Sequence, residues 1–366
     1  MTELEQRIFE RIEREGALSF AAYMHMALYE PGCGYYVSGA HKIGWEEKDF
    51  FTSTDLSTLF AICMGRQLQR MWEQLKRPHV FVVLEQGAGR GHLAQGVRDW
   101  AEKESPDFFA ALAYRVEDIR AGQDARDTAA HNTAQENGAP SVILSNELID
   151  AFPVHIVEKH GERLYEVFVG LQHGRLVETL KEPDDAVCED YLDGYRVPWR
   201  SYSDGWRAEI NLDALRWMER ASTLLRRGFL LTIDYGDKAR ALYTRERREG
   251  TLVCYYNHTL NDRPLLRPGQ QDITAHVNFS ALIEEGRRHG LHLNTFATQQ
   301  DWLQNMGISE ELERIRMRDY AASVTHRASD EGQIALLRWY TLRQGVAGLM
   351  DPAGMGNFKV LVMRRY

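Results

Sequence analysis

The sequence predicts an α/β protein on an open, mostly parallel sheet with helices on both faces, preceded by a helical extension and interrupted by a β-rich insertion. Three observations predict it. Short apolar runs, His79 to Leu84, Leu112 to Val116, Val142 to Leu144 and Phe229 to Ile233, alternate with helical patterns. The first run enters three glycines at alternate positions, Gly87, Gly89 and Gly91. Between the third and fourth runs, Val154 to Leu180 alternates apolar and polar residues around Gly161 and Gly174, as antiparallel hairpins do.

Taken in order, the chain starts with Leu4, Ile8 and Ile12 at helical spacing among Glu3, Glu5, Glu10, Glu13 and Glu15, an amphipathic helix too acidic for a targeting segment. The helical pattern continues to about Lys76, broken by turns at Tyr29-Glu-Pro-Gly-Cys-Gly-Tyr-Tyr36. Later, a helix at Leu212 to Leu225 is expected to end on Gly228 as its C-cap. Leu291 to Phe296 and Phe358 to Arg364 read as strands flanking a helical stretch from about Ser309 to Gln344. A last strand returning beside its predecessor closes the sheet; its direction is open. With 366 residues, one elaborated domain or two domains fit. We divide the chain into 1–78, a helical extension with a pocket-closing loop, and 79–366, the sheet domain with insertions at about 155–205 and 237–278.

Lys and Arg number 44 against 53 Asp and Glu, a net charge of −9, which argues against a nucleic-acid binder. The 44% hydrophobic and 27% charged composition is that of a globular chain. Cys33, Cys63, Cys188 and Cys254 are far apart and form no C-x-x-C pair, so free thiols in a reducing cytoplasm are expected. No apolar run is long enough to cross a bilayer, and membrane insertion is not expected. The histidines lack a metal-ligand spacing, and no metal is expected. Lys238, Arg240, Arg245, Arg247 and Arg248, mixed with Glu246 and Glu249, read as a solvated helix face.

The chemistry concentrates at strand ends. Val82-Val-Leu-Glu85-Gln-Gly87-Ala88-Gly89-Arg-Gly91 is a strand running into a glycine turn and then a helix. There glycines permit positive φ and let a ligand approach the backbone. The spacing is not the G-x-G-x-x-G of dinucleotide sites. It resembles motif I of class I S-adenosylmethionine (SAM) methyltransferases, in which an acid such as Glu85 helps hold the methionine amino group. A glycine turn without ligand is the alternative. Glu117 and Asp118 end the second strand, where an acid can accept both ribose hydroxyls; a solvated strand end is the bland reading. Ser145, Asn146, Glu147 and Asp150 follow the third strand. Carboxylates there suit a guanidinium acceptor, while helix capping by Asn146 is the structural alternative. Asp234-Tyr235-Gly236 ends the fourth run and either faces the same crevice or marks the surface.

In one order the chain carries Asp49-Phe-Phe-Thr52-Ser53, Leu59-Phe60, Glu85-x-Gly-x-Gly-Arg-Gly91, Ser145-Asn-Glu-Leu-Ile-Asp150-Ala-Phe-Pro-Val-His155, Asp234-Tyr-Gly236 and Asp272-Ile-Thr-Ala-His-Val-Asn-Phe279. That order resembles the MidA family of SAM-dependent methyltransferases over nearly the whole length. The resemblance implies a class I, Rossmann-like methyltransferase fold with SAM as cofactor and S-adenosylhomocysteine as product. The family's mitochondrial members are complex I assembly factors that methylate a protein arginine. By carry-over, Gly87, Ala88, Gly89 and Gly91 cradle the cofactor together with Glu85, Asp118, Ser145 and Asn146, and Glu117 holds the ribose. Thr52 and Ser53 close the pocket, and Glu147, Asp150 and Asp49 are the catalytic candidates. Tyr255, Tyr256, His258, Asp272, Thr274 and His276 form a substrate wall. The expected partner is a protein substrate, such as a complex I subunit where the host has one. The chain departs from the family pattern at Lys48 and Thr54, where Gly and Pro are usual, and at Gln86, where an apolar residue is usual. Two other readings are a SAM-binding assembly factor or chaperone with little catalysis, and a nicotinamide-dependent oxidoreductase.

Overall fold

The computed structural model describes residues 1–38, 58–119, 138–257, 259–320 and 330–366, and within these the chain forms two units. The first unit takes the described parts of Phe51–Asn146, Ala221–Tyr235 and Gly290–Tyr366. The second takes those of Met1–Phe50, Glu147–Arg220 and Gly236–His289.

The first unit holds a six-stranded sheet: β1 (Phe81–Gln86), β2 (Leu112–Glu117), β3 (Val142–Asn146), β4 (Gly228–Asp234), β5 (His292–Thr298) and β6 (Lys359–Arg365). Their order across the sheet is β5-β6-β4-β3-β1-β2. The first four run parallel, and β6 is inserted antiparallel between β4 and β5. The last strand thus returns beside its predecessor, as expected, with its direction reversed. Every residue of β4 is buried, which is why it reads as an unbroken apolar run and not as an alternation. Helix Thr58–Gln74 packs Phe60, Met64, Leu68 and Trp72, and helix His92–Glu104 packs Leu93, Val97 and Trp100, into one core with Val83, Leu144, Leu231 and Val360. Each such large side chain contributes about 1.5–3 kcal/mol by leaving water.

β1 and β3 extend past their apolar runs, because the ladder continues through Glu85 and Gln86 opposite Leu144 and Ser145. Chain order reverses here, β2 lying on one side of β1 and β3 on the other, so the carboxyl ends of β1 and β3 form the switch point where open α/β sheets bind ligands. Gly228 is not the C-cap that the sequence suggested. The helix stops at Leu224, and Gly228 opens β4 at φ 141°, where a Cβ would lie 2.0 Å from the Ser141 carbonyl oxygen. The glycine is needed for this close approach of two strands.

In the second unit, helix Glu3–Glu15 is closed by a capping box between Thr2 and Glu5. It buries Leu4, Ile8 and Ile12 against Phe20, Met24 and Leu28 of helix Phe20–Tyr29 and against Val154, Ile156, Val167 and Val169. The expected hairpins are present as strands His155–His160, Arg163–Gln172 and Arg175–Lys181, joined antiparallel. A smaller antiparallel sheet unites Thr259–Asn261, Val253–Tyr256 and Asp272–Thr274. The basic run from Lys238 is not one helix face, since the helix covers only Ala239–Leu242. The chain then turns at Gly250 so that Thr251 and Leu252 donate backbone N–H groups to the buried Glu209 carboxylate. No described helix is long and apolar enough to cross a membrane.

Gly228→Ala is expected to lower unfolding stability by about 2–4 kcal/mol in urea titration, since its methyl must displace backbone; Gly161→Ala, which meets no atom within 4 Å, serves as the control and is expected to lose only about 1 kcal/mol from its positive φ.

Candidate active site

The glycine segment is held in shape by the end of β2. The Glu117 carbonyl oxygen accepts the backbone N–H of Gly87 at 2.8 Å and of Ala88 at 3.3 Å. The Asp118 carboxylate accepts the Gly89 N–H at 2.7 Å. Gly87, Gly89 and Gly91 have φ of 71°, 57° and 74°, and Gly91 is the N-cap of helix His92–Glu104 without a side-chain cap. Among the described residues nothing lies within 4 Å of a Cβ built on Gly89 or Gly91, so the space beside these two glycines is open. Helix N-terminal N–H groups directed at such a space favour an anionic group such as a carboxylate.

Glu85 lies beneath this turn, 3% exposed, and accepts a hydrogen bond from the Tyr114 hydroxyl at 3.0 Å. Burial pushes its carboxyl up to about 8; the Tyr114 bond opposes this, and the Asp118 charge adds to it. Glu117 is exposed at the end of β2, with its Oε2 accepting from Gln86 Nε2 at 2.9 Å. The Ser145 hydroxyl is engaged with Thr232 of the neighbouring strand at 2.6 Å, and Asn146 ends β3 opposite Ile233. Asp234 is fully buried at the end of β4. The turn, the acid under it and the exposed acid on the adjacent strand fit an adenosyl ligand: there is room over the glycines, N–H groups suit a carboxylate, and Glu117 stands where a ribose diol would be met.

The acids after β3 belong to the second unit. Glu147 has φ 50°, in the left-handed region that few non-glycine residues adopt. Asp150 is buried, and its carbonyl oxygen accepts the Ala275 N–H at 2.9 Å. Asp272, 1% exposed, accepts from the Tyr36 hydroxyl at 2.8 Å. The Tyr36 ring stacks on Tyr29 at 5.6 Å, and the Tyr29 hydroxyl donates to the Ala151 carbonyl at 2.9 Å. Tyr255 is the ladder partner of Asp272. Burial raises its hydroxyl pKa, and the negative charges of Asp272, Asp150 and Glu147 raise it further. Three carboxylates and three tyrosines from four separate stretches therefore gather in one place. Tyr36 and Tyr29 were read from sequence only as part of a turn; the density of tyrosine there was the available signal. The Thr274 hydroxyl donates to the Val253 carbonyl, while His276 donates its backbone N–H to the Thr251 hydroxyl and has its ring Nδ1 3.5 Å from Arg247 Nη1. Asp49, Thr52, Ser53, Lys48, Thr54 and His258 lie outside the described residues. His155, His160 and His289 pair with Glu166, Glu158 and Glu285, and among the described residues no group of His, Cys, Asp and Glu is arranged to hold a metal.

The sheet order and the glycine turn at its switch point define a Rossmann-like protein that binds an adenosyl cofactor. Comparison with known proteins narrows the class. A family model for SAM-dependent methyltransferases matches residues 63–297. A Burkholderia thailandensis structure bound to S-adenosyl-homocysteine shares 28% identity with a TM-score of 0.82, covering 99% of this chain and 92% of that one. The Drosophila melanogaster protein arginine methyltransferase NDUFAF7 homolog, mitochondrial, is 26% identical over 98% of this chain and 84% of its own length. The human protein arginine methyltransferase NDUFAF7, mitochondrial, is 24% identical over 98% and 82%. The chain belongs to this SAM-dependent methyltransferase family, the MidA family that its ordered motifs resemble, and SAM is its cofactor.

Gly89→Val is expected to abolish calorimetric binding of SAM and S-adenosylhomocysteine by filling the cofactor's space; because φ 57° strains a branched residue, melting temperature checks the fold, and Gly89→Ala, whose Cβ meets no atom within 4 Å, is the milder variant. A second expectation concerns pH. With an ordinary value of 4.5 and a folded value of about 8, Glu85 keeps its proton in the native state where the unfolded chain has lost it. Its contribution is full below the unfolded value and is lost as pH rises through about 8. In ligand-free protein, Glu85→Gln should therefore remove a fall in stability on the order of 4 kcal/mol between about pH 5 and 8, measured by urea unfolding.

Proposed function

We propose that this methyltransferase acts on a protein arginine, the guanidinium being received by the acid and tyrosine cluster of the second unit. The observation that carries this reading is a pair of buried acids beside tyrosines: Asp272 accepts from Tyr36 and is the ladder partner of Tyr255, Asp150 is buried in the same unit, and the charges of Asp272, Asp150 and Glu147 all raise the Tyr255 hydroxyl pKa. Carboxylates brought together at a half-buried site repel one another, and a cationic, planar acceptor with several N–H donors offsets that repulsion better than a neutral one. The Drosophila and human relatives are protein arginine methyltransferases by name, which supplies independent support.

When bound, SAM supplies an electrophilic methyl on sulfur. The chain's own task is then alignment and proton handling. Glu147 and Asp150 are assigned the guanidinium N–H groups, which orients the reacting nitrogen and offers a carboxylate to take the proton it releases on methylation. Asp272, held by Tyr36, fixes the far side of the cluster. Gly87, Ala88, Gly89 and Gly91 with Glu85 hold the methionine portion, and Glu117 the ribose. Asp118 braces the turn through Gly89. We assign the substrate to a protein, a respiratory complex I subunit where the host has that complex. All four cysteines are free thiols, which suits the cytoplasm as the site of action.

The test uses methyl-labelled SAM and an extract of the source cells, followed by acid hydrolysis and amino-acid analysis of the protein fraction. Label in methylarginine is expected; label confined to methyllysine or to small molecules overturns the arginine assignment. Glu147→Gln is expected to slow transfer by roughly 100-fold or more while S-adenosylhomocysteine affinity changes less than about twofold, since the residue is assigned to the acceptor and not to the cofactor.

A further inference from the structure

We propose that Gln86 is a positioning residue that sets Glu117 for the two ribose hydroxyls, making this chain selective for an adenosyl cofactor with an intact diol. This rests on the reading of Glu117 as the ribose ligand.

Three observations lead to it. Gln86 and Glu117 are the last residues of adjacent parallel strands and are register partners, so their side chains emerge side by side on one face. The Gln86 amide donates to Glu117 Oε2 at 2.9 Å. The Glu117 backbone is fixed independently by the N–H groups of Gly87 and Ala88. An exposed glutamate otherwise samples several rotamers, and ordering it on binding weakens affinity. One amide donor selects a rotamer while occupying only one of about four acceptor positions on the carboxylate. Because the donor is neutral, the negative charge stays available to the diol, which an arginine or lysine in its place would neutralise. The apolar residue usual at this position in the family pattern has no donor to give.

Calorimetry of the full chain with S-adenosylhomocysteine and its 2′-deoxyribose analogue tests the proposal. Gln86→Leu is expected to weaken S-adenosylhomocysteine about five- to tenfold and the 2′-deoxy analogue less than about twofold. In a Glu117→Gln background, Gln86→Leu should add no further loss. Gln86→Met, nearly isosteric and without a donor, gives the same reading should leucine disturb the strand, with melting temperature as the check on folding. Wild-type affinity in both Gln86 variants, equal loss for the two ligands, or full additivity with Glu117→Gln overturns the proposal. If Glu117→Gln weakens S-adenosylhomocysteine and the Gln86 variants do not, the proposal alone fails. If Glu117→Gln has no effect, the ribose assignment of Glu117 fails and takes the proposal with it.

Discussion

The candidate cofactor site depends on two hydrogen bonds that contain no side chain. The Glu117 carbonyl at the end of β2 accepts the N–H groups of Gly87 and Ala88, and this pins the first residues after β1 to the neighbouring strand. The turn can then rise through three positive-φ glycines without wandering, and the helix at His92 begins at a set place and angle. The parallel ladder makes those bonds possible, since it brings Gln86 level with Glu117 on one side and with Ser145 on the other. The switch point of the sheet, its glycine turn and its terminal acids are thus one construction. A slip of one residue between β1 and β2 would undo all of it, because every side chain would change face.

The acids around this construction differ chiefly in solvation. Glu85 is shut under the turn with Tyr114, and burial favours its neutral form. Asp118 spends its charge on the Gly89 N–H and so serves the backbone. Glu117 remains exposed, where its carboxylate can exchange water for hydroxyl groups of a ligand. Three acids within a few residues of one another along two strands thus take three roles, assigned by burial and by the nearest donor.

In the second unit the logic is reversed, with acids concentrated and not separated. Asp150 and Asp272 are buried, and Glu147 takes a left-handed backbone. A left-handed backbone at a non-glycine residue and buried carboxylates are costly, and such costs are retained in folded proteins where a function requires them. Tyr36 and Tyr29 place their hydroxyls on the Asp272 carboxylate and the Ala151 carbonyl, and Tyr255 lies opposite Asp272 in the ladder. The fixed bond from Tyr36 to Asp272 leaves one carboxylate oriented in advance, which is the condition for alignment without rearrangement.

The sequence by itself determined the class of sheet, the hairpins of the second unit, the N-terminal helix with Leu4, Ile8 and Ile12 inward, and the glycine turn, because each is written in local periodicity or in residues that only a turn tolerates. Glu85, Glu117 and Asp118 were also legible as strand-end acids. Their division of labour was not, since it depends on which donors the neighbouring strand brings within reach. Gln86 appeared only as a departure from a pattern, and its bond to Glu117 follows from register 31 positions along the chain. Gly228 was misread as a cap for the same reason: its necessity lies in the Ser141 carbonyl, a neighbour that local sequence does not contain. The meeting of Tyr36, Asp150, Tyr255 and Asp272 is likewise a product of tertiary structure alone, because residues 236 positions apart are joined by packing, and no local pattern encodes which distant carboxylate a buried hydroxyl will find.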